Sequence, residues 1–155
     1  MDSILTPSSI VTGAKCASWR ELALLSTEIL VREGHASPDY GPAVIESIER
    51  FGPYVIIAPG VALFHAAPGP YVFEPAISLV TLVDPVFFTE YANQPVDVAF
   101  AFCAVDADSH LSMIQSLVRV LQDDRFLRSA RAQAGPGEIA RFADSILQGG
   151  RNEAR

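Results

Sequence analysis

Residues 52–66 of this chain read Gly-Pro-Tyr-Val-Ile-Ile-Ala-Pro-Gly-Val-Ala-Leu-Phe-His-Ala. Within them, residues 54–58 form a continuous apolar run that a proline precedes and a Pro-Gly pair follows. A short apolar run between turn residues is typical of a strand that is covered on both faces. Residues 61–66 are expected to form a further short extended piece, with His65 near its end.

Two more strands are predicted downstream of this stretch. The β-branched run from Ile77 to Leu82 predicts a strand that ends at Asp84-Pro85. The longer apolar run from Val96 to Val105 predicts the central strand of the sheet.

Two helices are predicted before the strands. Ser18 and Glu21 have the spacing of a capping box, and Gly34 can close the helix that they begin. A second helix is predicted from Gly41 to Arg50. Its spacing predicts one apolar face, made of Val44, Ile45, Ile48 and Phe51.

Helical periodicity returns after the strands. A helix capped by Asp108 or Ser109 is predicted to carry an apolar stripe of Leu111, Ile114, Leu117, Val118 and Leu121. A short helix across 123–132 and a last amphipathic helix ended by Gly149-Gly150 follow. This order predicts an α/β sandwich in one domain, residues 1–155, with a structured core of about 18–147.

Composition excludes several classes of function. A chain of 155 residues with net charge −7 lacks the basic face of a nucleic-acid-binding protein. The apolar stretches are too short or too interrupted to insert into a bilayer, so we expect a cytoplasmic protein. Half of the residues are apolar, which leaves room for a homodimer face.

Three histidines are the main candidates for chemistry. His35 follows a predicted helix end and is expected to be an exposed surface residue. His65 follows the apolar stretch, where side chains of an open α/β sheet face the ligand crevice. His110 opens a helix, whose free N–H groups favour a nearby anion. Asp106 and Asp108 can orient an imidazole or cap that helix. On spacing alone, a structural role is the simpler interpretation of either His65 or His110.

The usual cofactor signatures do not occur in the sequence. It contains no glycine-rich phosphate loop, no nucleophile elbow and no histidine pair spaced for a metal. We therefore expect no cofactor and no metal.

Three segments together resemble a known family. They are residues 52–66, residues 77–88, reading Ile-Ser-Leu-Val-Thr-Leu-Val-Asp-Pro-Val-Phe-Phe, and residues 106–111, reading Asp-Ala-Asp-Ser-His-Leu. They resemble type 2 IIA domains of sugar phosphotransferase systems, the mannitol–fructose family, and most closely its ascorbate-type branch. The resemblance runs from about residue 18 to 147 and implies the mannitol-type IIA fold, a central mixed β-sheet flanked by helices.

The resemblance also implies roles for particular residues. His65 would accept a phosphoryl group from the carrier protein HPr as a tele-phosphohistidine and pass it to a IIB component, which serves the membrane permease IIC. His110 would stabilise the phosphoryl group. A looser match places Arg50 near an active-site arginine of the relatives. Such a phosphotransferase needs no metal or nucleotide.

The sequence departs from the family pattern at two positions beside His65. Phe64 stands where relatives usually carry proline, and Ala67 where they usually carry arginine. Two functions therefore stay open: a working phosphocarrier, and a regulatory protein of the same fold whose phosphorylation state controls a partner. A small α/β domain with incidental histidines is the third interpretation.

Overall fold

The computed structural model describes residues 5–153, with side chains through residue 148. The described strands are β1 (Ile10–Ala14), β2 (Ile56–Ala58), β3 (Gly60–Phe64), β4 (Ala76–Phe88) and β5 (Gln94–Cys103). The described helices are α1 (Trp19–Arg32), α2 (Tyr40–Phe51), α3 (Ala107–Leu121), α4 (Asp124–Arg131) and α5 (Pro136–Glu153). A short 3-10 helix over Pro7–Ser9 precedes β1.

The strands form one mixed sheet in the order β1-β4-β5-β3-β2. The pairs β1–β4 and β3–β5 are parallel, whereas β4–β5 and β2–β3 are antiparallel. β5 lies in the middle, as predicted for the run from Val96 to Val105. Because β3 and β5 run in parallel, their carboxyl ends lie side by side at the same end of the sheet.

Helices cover both faces of this sheet. Alternate residues of β5 point to opposite sides, with Ala99 and Ala101 in one buried cluster and Phe100 and Phe102 in the other. Helices α1 and α2 pack on the first side, and α3, α4 and α5 pack on the second. The predicted α/β sandwich with a central mixed sheet flanked by helices is confirmed.

The predicted strand at residues 54–58 is wrong in extent and in burial. Only Ile56–Ala58 is extended, and this strand, β2, lies at the edge of the sheet with Ile57 41% exposed. Gly60, at φ +78, turns the chain back so that β3 pairs with β2 on one side and β5 on the other. β3 is therefore the buried strand, and the apolar run alone could not distinguish the two.

The strand predicted to end at Asp84-Pro85 continues to Phe88 instead. The pairing between β4 and β5 shifts between Thr81 and Val86, so Pro85 lies in an irregular stretch of the ladder. A proline is tolerated there because it has no N–H to contribute to regular pairing.

A capping box consists of two hydrogen bonds, and only one of them is present at the start of α1. Ser18 Oγ accepts a bond from Glu21 N at 3.1 Å. The Glu21 carboxylate accepts from Ala17 N at 3.0 Å rather than from the N-cap residue, so the capping box is incomplete. In α2, Val44 and Ile48 are buried as predicted, but Phe51 is 69% exposed because the helix ends there.

The predicted start of α3 and the predicted end of α5 also need correction. α3 is capped by Asp106, not by Asp108 or Ser109, and its fully buried residues are Leu117, which belongs to the predicted stripe, and Val120, which does not. Leu111 and Val118 of the predicted stripe are exposed. α5 continues through Gly149-Gly150, and β1 precedes residue 18, so the ordered elements extend beyond the predicted core of 18–147 at both ends.

Candidate functional site

The structure brings His65 and His110 together. His65 directly follows β3, and His110 lies in the first turn of α3, which follows β5. Phe64 stands beside Ala101 in the parallel β3–β5 pair, so both histidines lie at the same edge of the sheet. Their ring centroids are 5.5 Å apart. Neither the spacing of the histidines nor their neighbours in sequence could establish this proximity.

Two aromatic rings complete the surroundings of His65. The buried Phe102 ring stacks on the His65 ring at 4.9 Å between centroids and meets the His110 ring at 5.0 Å. Tyr54, partly exposed, presents its ring perpendicular to that of His65 at 5.1 Å. Sequence reasoning missed both residues as parts of the site. Alternation along β5 marks Phe102 only as a core residue.

A backbone hydrogen bond fixes the tautomer of His65. Its Nδ1 lies 2.8 Å from Leu63 O. A carbonyl oxygen can only accept, so Nδ1 carries the proton and the lone pair of the neutral ring is on Nε2. Burial lowers the pKa of His65, and the nearby His110 lowers it further, while the bond to Leu63 raises it. The net shift is downward, which favours the neutral ring.

The first turn of α3 is capped tightly. Asp106 Oδ1 accepts a hydrogen bond from Ser109 N at 2.8 Å, and Ser109 Oγ accepts one from Asp106 N at 3.3 Å. The Ser109 backbone N–H holds the pKa of Asp106 below its ordinary value. Asp106 therefore serves as the helix cap: its backbone oxygen accepts from His110 N at 3.0 Å, and no described hydrogen bond joins its carboxylate to either histidine ring.

His110 has an unusual nitrogen. Its Nδ1 is buried and has no hydrogen-bond partner among the residues that the structure describes. Orphaned buried N–H groups are rarer than orphaned acceptors, so the favoured tautomer has the lone pair on Nδ1 and the proton on Nε2. His110 then offers an N–H donor.

Other residues singled out from the sequence lie apart from this pair. Arg50 is in the last turn of α2 with its guanidinium 5.2 Å from the Phe51 ring centroid, and no described hydrogen bond joins it to either histidine. His35 is not the freely exposed residue expected, because its Nδ1 contacts the Glu74 carboxylate. Phe64 is fully buried and Ala67 is exposed.

Residues 5–153 contain neither a cluster of metal-binding side chains nor a helix suited to cross a membrane. No group of three or more His, Cys, Asp or Glu side chains within this range is arranged to hold a metal ion. None of the helices in this range combines the length and the apolar character that a membrane span requires.

Comparison with known proteins agrees with the geometry. Residues 3–145 match the family model described as phosphoenolpyruvate-dependent sugar phosphotransferase system, EIIA 2. The chain belongs to the EIIA type 2 family. The predicted family is thereby confirmed, and this EIIA chain is a component of a sugar phosphotransferase system.

Three relatives illustrate the similarity. The EIIA chain is 33% identical over 144 residues to the ascorbate-specific PTS system EIIA component of Escherichia coli K12, covering 92% of this chain and 94% of that protein. A crystal structure named as a PTS IIA (PtxA) from Streptococcus mutans superimposes with TM-score 0.84 at 33% identity, covering 92% and 90%. The mannitol IIA of Escherichia coli, solved in complex with phosphorylated mannitol IIB, gives TM-score 0.80 at 18% identity, covering 91% and 97%, and shares the fold.

Proposed function

We propose that this EIIA component is a cytoplasmic phosphocarrier that accepts a phosphoryl group on Nε2 of His65. One observation carries the proposal: the bond from Nδ1 to Leu63 O leaves the lone pair of His65 on Nε2, in a ring whose centroid is 5.5 Å from that of His110. A neutral imidazole nitrogen is a nucleophile at neutral pH, and its phosphorylation at Nε2 gives the tele-phosphohistidine.

The transfer balances without a metal or a nucleotide. The Nε2 lone pair of His65 forms a bond to phosphorus while the bond between phosphorus and the histidine nitrogen of phospho-HPr breaks. The phosphorylated ring keeps the proton on Nδ1 and gains positive charge. The 2.8 Å bond to Leu63 O then becomes charge-assisted, which stabilises the product.

His110 is the proposed stabiliser of the phosphoryl oxygens. Its favoured tautomer carries a proton on Nε2, and its ring centroid is 5.5 Å from that of His65. Phosphoryl transfer depends mainly on positioning and on donors for the three equatorial oxygens. Arg50 stays a looser prediction, because reaching His65 would require its side chain to leave the Phe51 ring.

The proposed partners are HPr as donor and a IIB component as acceptor, with the permease IIC served indirectly. The IIB assignment is supported by the mannitol IIA relative, which is solved with phosphorylated IIB. The 33% identity to ascorbate-specific EIIA components supports an ascorbate-type system.

Intact mass spectrometry tests the proposal. The parent chain, His65→Gln, His110→Gln and the control His35→Gln are incubated with phosphoenolpyruvate, enzyme I and HPr. We expect one phosphoryl adduct on the parent and on His35→Gln, slower labelling of His110→Gln, and none on His65→Gln. His35 is a matched control because its ring pairs with Glu74 outside the site.

Two results would contradict this assignment. Labelling that persists in His65→Gln would move the acceptor elsewhere. No labelling of any folded variant, beside an active control carrier, would remove the phosphocarrier role.

The regulatory alternative is separated by a second incubation. Ala67 is exposed and uncharged where relatives usually carry arginine, so it offers no positive charge beside His65 to attract an acidic partner. This favours a partner other than the usual IIB component. If the phosphorylated chain loses its adduct to an ascorbate-type IIB component, it is a transport intermediate. If the adduct persists with an active IIB, the phosphorylation state itself is the signal.

A further inference from the structure

The peptide group between His65 and Ala66 is held on both sides by tyrosine hydroxyls. Tyr54 Oη donates to His65 O at 2.5 Å. Tyr40 Oη accepts from Ala66 N at 3.1 Å. The carbonyl and the N–H of one peptide bond are thus each fixed by a side chain from outside β3.

Tyr40 also joins this peptide to the neighbouring strand. Its hydroxyl donates its single proton to Phe102 O at 2.7 Å, which leaves its lone pairs free to accept from Ala66 N. Phe102 is the residue whose ring stacks on His65 and meets His110. One hydroxyl therefore sets the separation between the chain after β3 and the end of β5.

The position of Tyr40 is itself rigid. It is the first residue of α2, its side chain is fully buried, and its ring contacts that of Tyr71 at 5.5 Å. Burial also raises its pKa, so the hydroxyl keeps its proton at physiological pH.

Tyr54 fixes the other side of the peptide from a more exposed position. Its hydroxyl lies 3.0 Å from Ser47 Oγ on α2, and its ring stands perpendicular to the His65 ring. Both tyrosines therefore connect the backbone at His65 to α2, an element that carries neither histidine.

We propose that Tyr40 and Tyr54 are positioning residues for phosphoryl transfer, which clamp the His65–Ala66 peptide and thereby aim Nε2 of His65. This inference rests on the proposed phosphocarrier function. Neither hydroxyl bonds to the His65 ring, so both act through the backbone. In-line displacement is sensitive to such positioning, and a misplacement of about 1 Å can reduce a rate about 100-fold.

Single substitutions that delete only the hydroxyls test the clamp. Tyr40→Phe and Tyr54→Phe are compared with Tyr91→Phe, whose hydroxyl also donates to a backbone carbonyl, Ile48 O at 3.1 Å, away from the histidines. We expect the maximal rate of labelling by phospho-HPr to fall about tenfold in each clamp variant, with little change in KM. Tyr91→Phe should stay within about twofold of the parent.

A second readout follows the His65 ring directly. Nitrogen chemical shifts report which ring nitrogen carries the proton. We expect the single Nδ1–H tautomer of the parent to become a mixture in Tyr40→Phe and Tyr54→Phe, and to persist in Tyr91→Phe. A loss of fold stability alone would not produce this difference.

The outcomes are distinct. Unchanged maximal rates together with an unchanged tautomer in both clamp variants would overturn the inference. If the parent is not labelled at all, the proposed function fails, and the tautomer comparison still decides whether the clamp orients His65. If Tyr40→Phe does not fold, Tyr54→Phe on the partly exposed residue decides alone.

Discussion

At the scale of single residues, His65 is subject to opposing influences on its protonation. Burial and His110 disfavour the charged ring, whereas the bond to Leu63 O favours it. In the proposed transfer, the lowered pKa favours an unprotonated Nε2 in the acceptor, and the bond to Leu63 O would support the positive ring of the product. The same backbone carbonyl would thus contribute to both states of the proposed reaction.

The pH dependence follows from the lowered pKa of His65. Its pKa in the folded protein lies below the ordinary 6.5, so the unfolded chain binds the proton at higher pH. The labelling rate should therefore hold as pH falls through 6.5 and decline only near the lowered pKa. The contribution of His65 to the free energy of unfolding should decrease as pH falls from about 6.5 toward that value.

An NMR titration of the His65 ring checks this expectation. In His110→Gln the pKa of His65 should rise, because the electrostatic influence of His110, which lowers it, is removed. A pKa at or above 6.5 in the parent would contradict the effect of burial.

A second residue offers a test of stability. Ser26 Oγ is buried and has no hydrogen-bond partner among the described residues. The backbone oxygen of Ser26 still accepts from Ser78 Oγ at 2.7 Å, and this bond does not depend on the Ser26 side chain. Ser26→Ala should raise the free energy of unfolding by about 1 kcal/mol, measured by urea denaturation.

Thr27→Val is the matched control for that measurement. Thr27 Oγ1 donates to Ala23 O at 2.9 Å, so its removal deletes a bond that is made. It should lower stability by about 1 kcal/mol. Equal losses in both variants would show that Ser26 Oγ has a partner in solution.

Much of the site could be predicted at this scale, but not all. The apolar runs before His65 and His110 made both histidines candidates, but on spacing alone a structural role was the simpler interpretation, and the resemblance to type 2 IIA domains gave them their predicted roles. Tyr40 and Tyr54 could not be identified, since they reach the site through hydrogen bonds to backbone atoms distant in sequence. The tautomer of His65 depends on one carbonyl oxygen, which no residue pattern encodes.

At the scale of elements, β3 is held at its start by an ion pair from α4. Arg131 Nε lies 3.0 Å from Asp97 Oδ2, and Arg131 Nη2 donates to Pro59 O at 3.1 Å. Gly60, between these groups, has φ +78. A Cβ added there would lie 2.5 Å from Arg131 Nη2 and 2.9 Å from Asp97 Oδ1.

Gly60→Ala should therefore destabilise the fold. The left-handed backbone costs about 1–2 kcal/mol for a residue with a Cβ, and displacement of Arg131 adds to this. Gly135→Ala is the control, because a Cβ there meets nothing within 4 Å. Thermal unfolding should show a clear loss for Gly60→Ala and little change for Gly135→Ala. Similar values for both would contradict the proposed crowding.

β4 shows why one strand boundary escaped prediction. Thr81 Oγ1 accepts from Gly13 N at 3.1 Å and donates to Gln133 Oε1 at 2.7 Å. Gln133 Nε2 donates to Leu82 O at 3.3 Å. Side chains and backbone from β1 and the α4–α5 connection thus satisfy polar groups where the ladder becomes irregular. The local sequence, Asp84-Pro85, contains only the signal to stop.

At the scale of the whole molecule, the layers were predictable and the order of the strands was not. Two helical segments, then a series of apolar strands, then further helical segments predicted a sheet covered by helices. The parallel pairing of β3 with β5 depends on contacts between distant parts of the chain, which periodicity does not report. The homodimer suggested by the apolar composition stays a prediction.

The strand order has a consequence for how the chain assembles its proposed phosphoryl-acceptor site. β4 and β5 are neighbours in sequence and can pair as an antiparallel hairpin. β3 lies next to β5 in the sheet, but in sequence the whole of β4 separates the two strands. Contacts of greater sequence separation close larger loops and generally form more slowly. We therefore expect His65 to meet His110 only when the sheet is complete. A partly folded chain would then accept no phosphoryl group from phospho-HPr, and only fully folded molecules would be labelled.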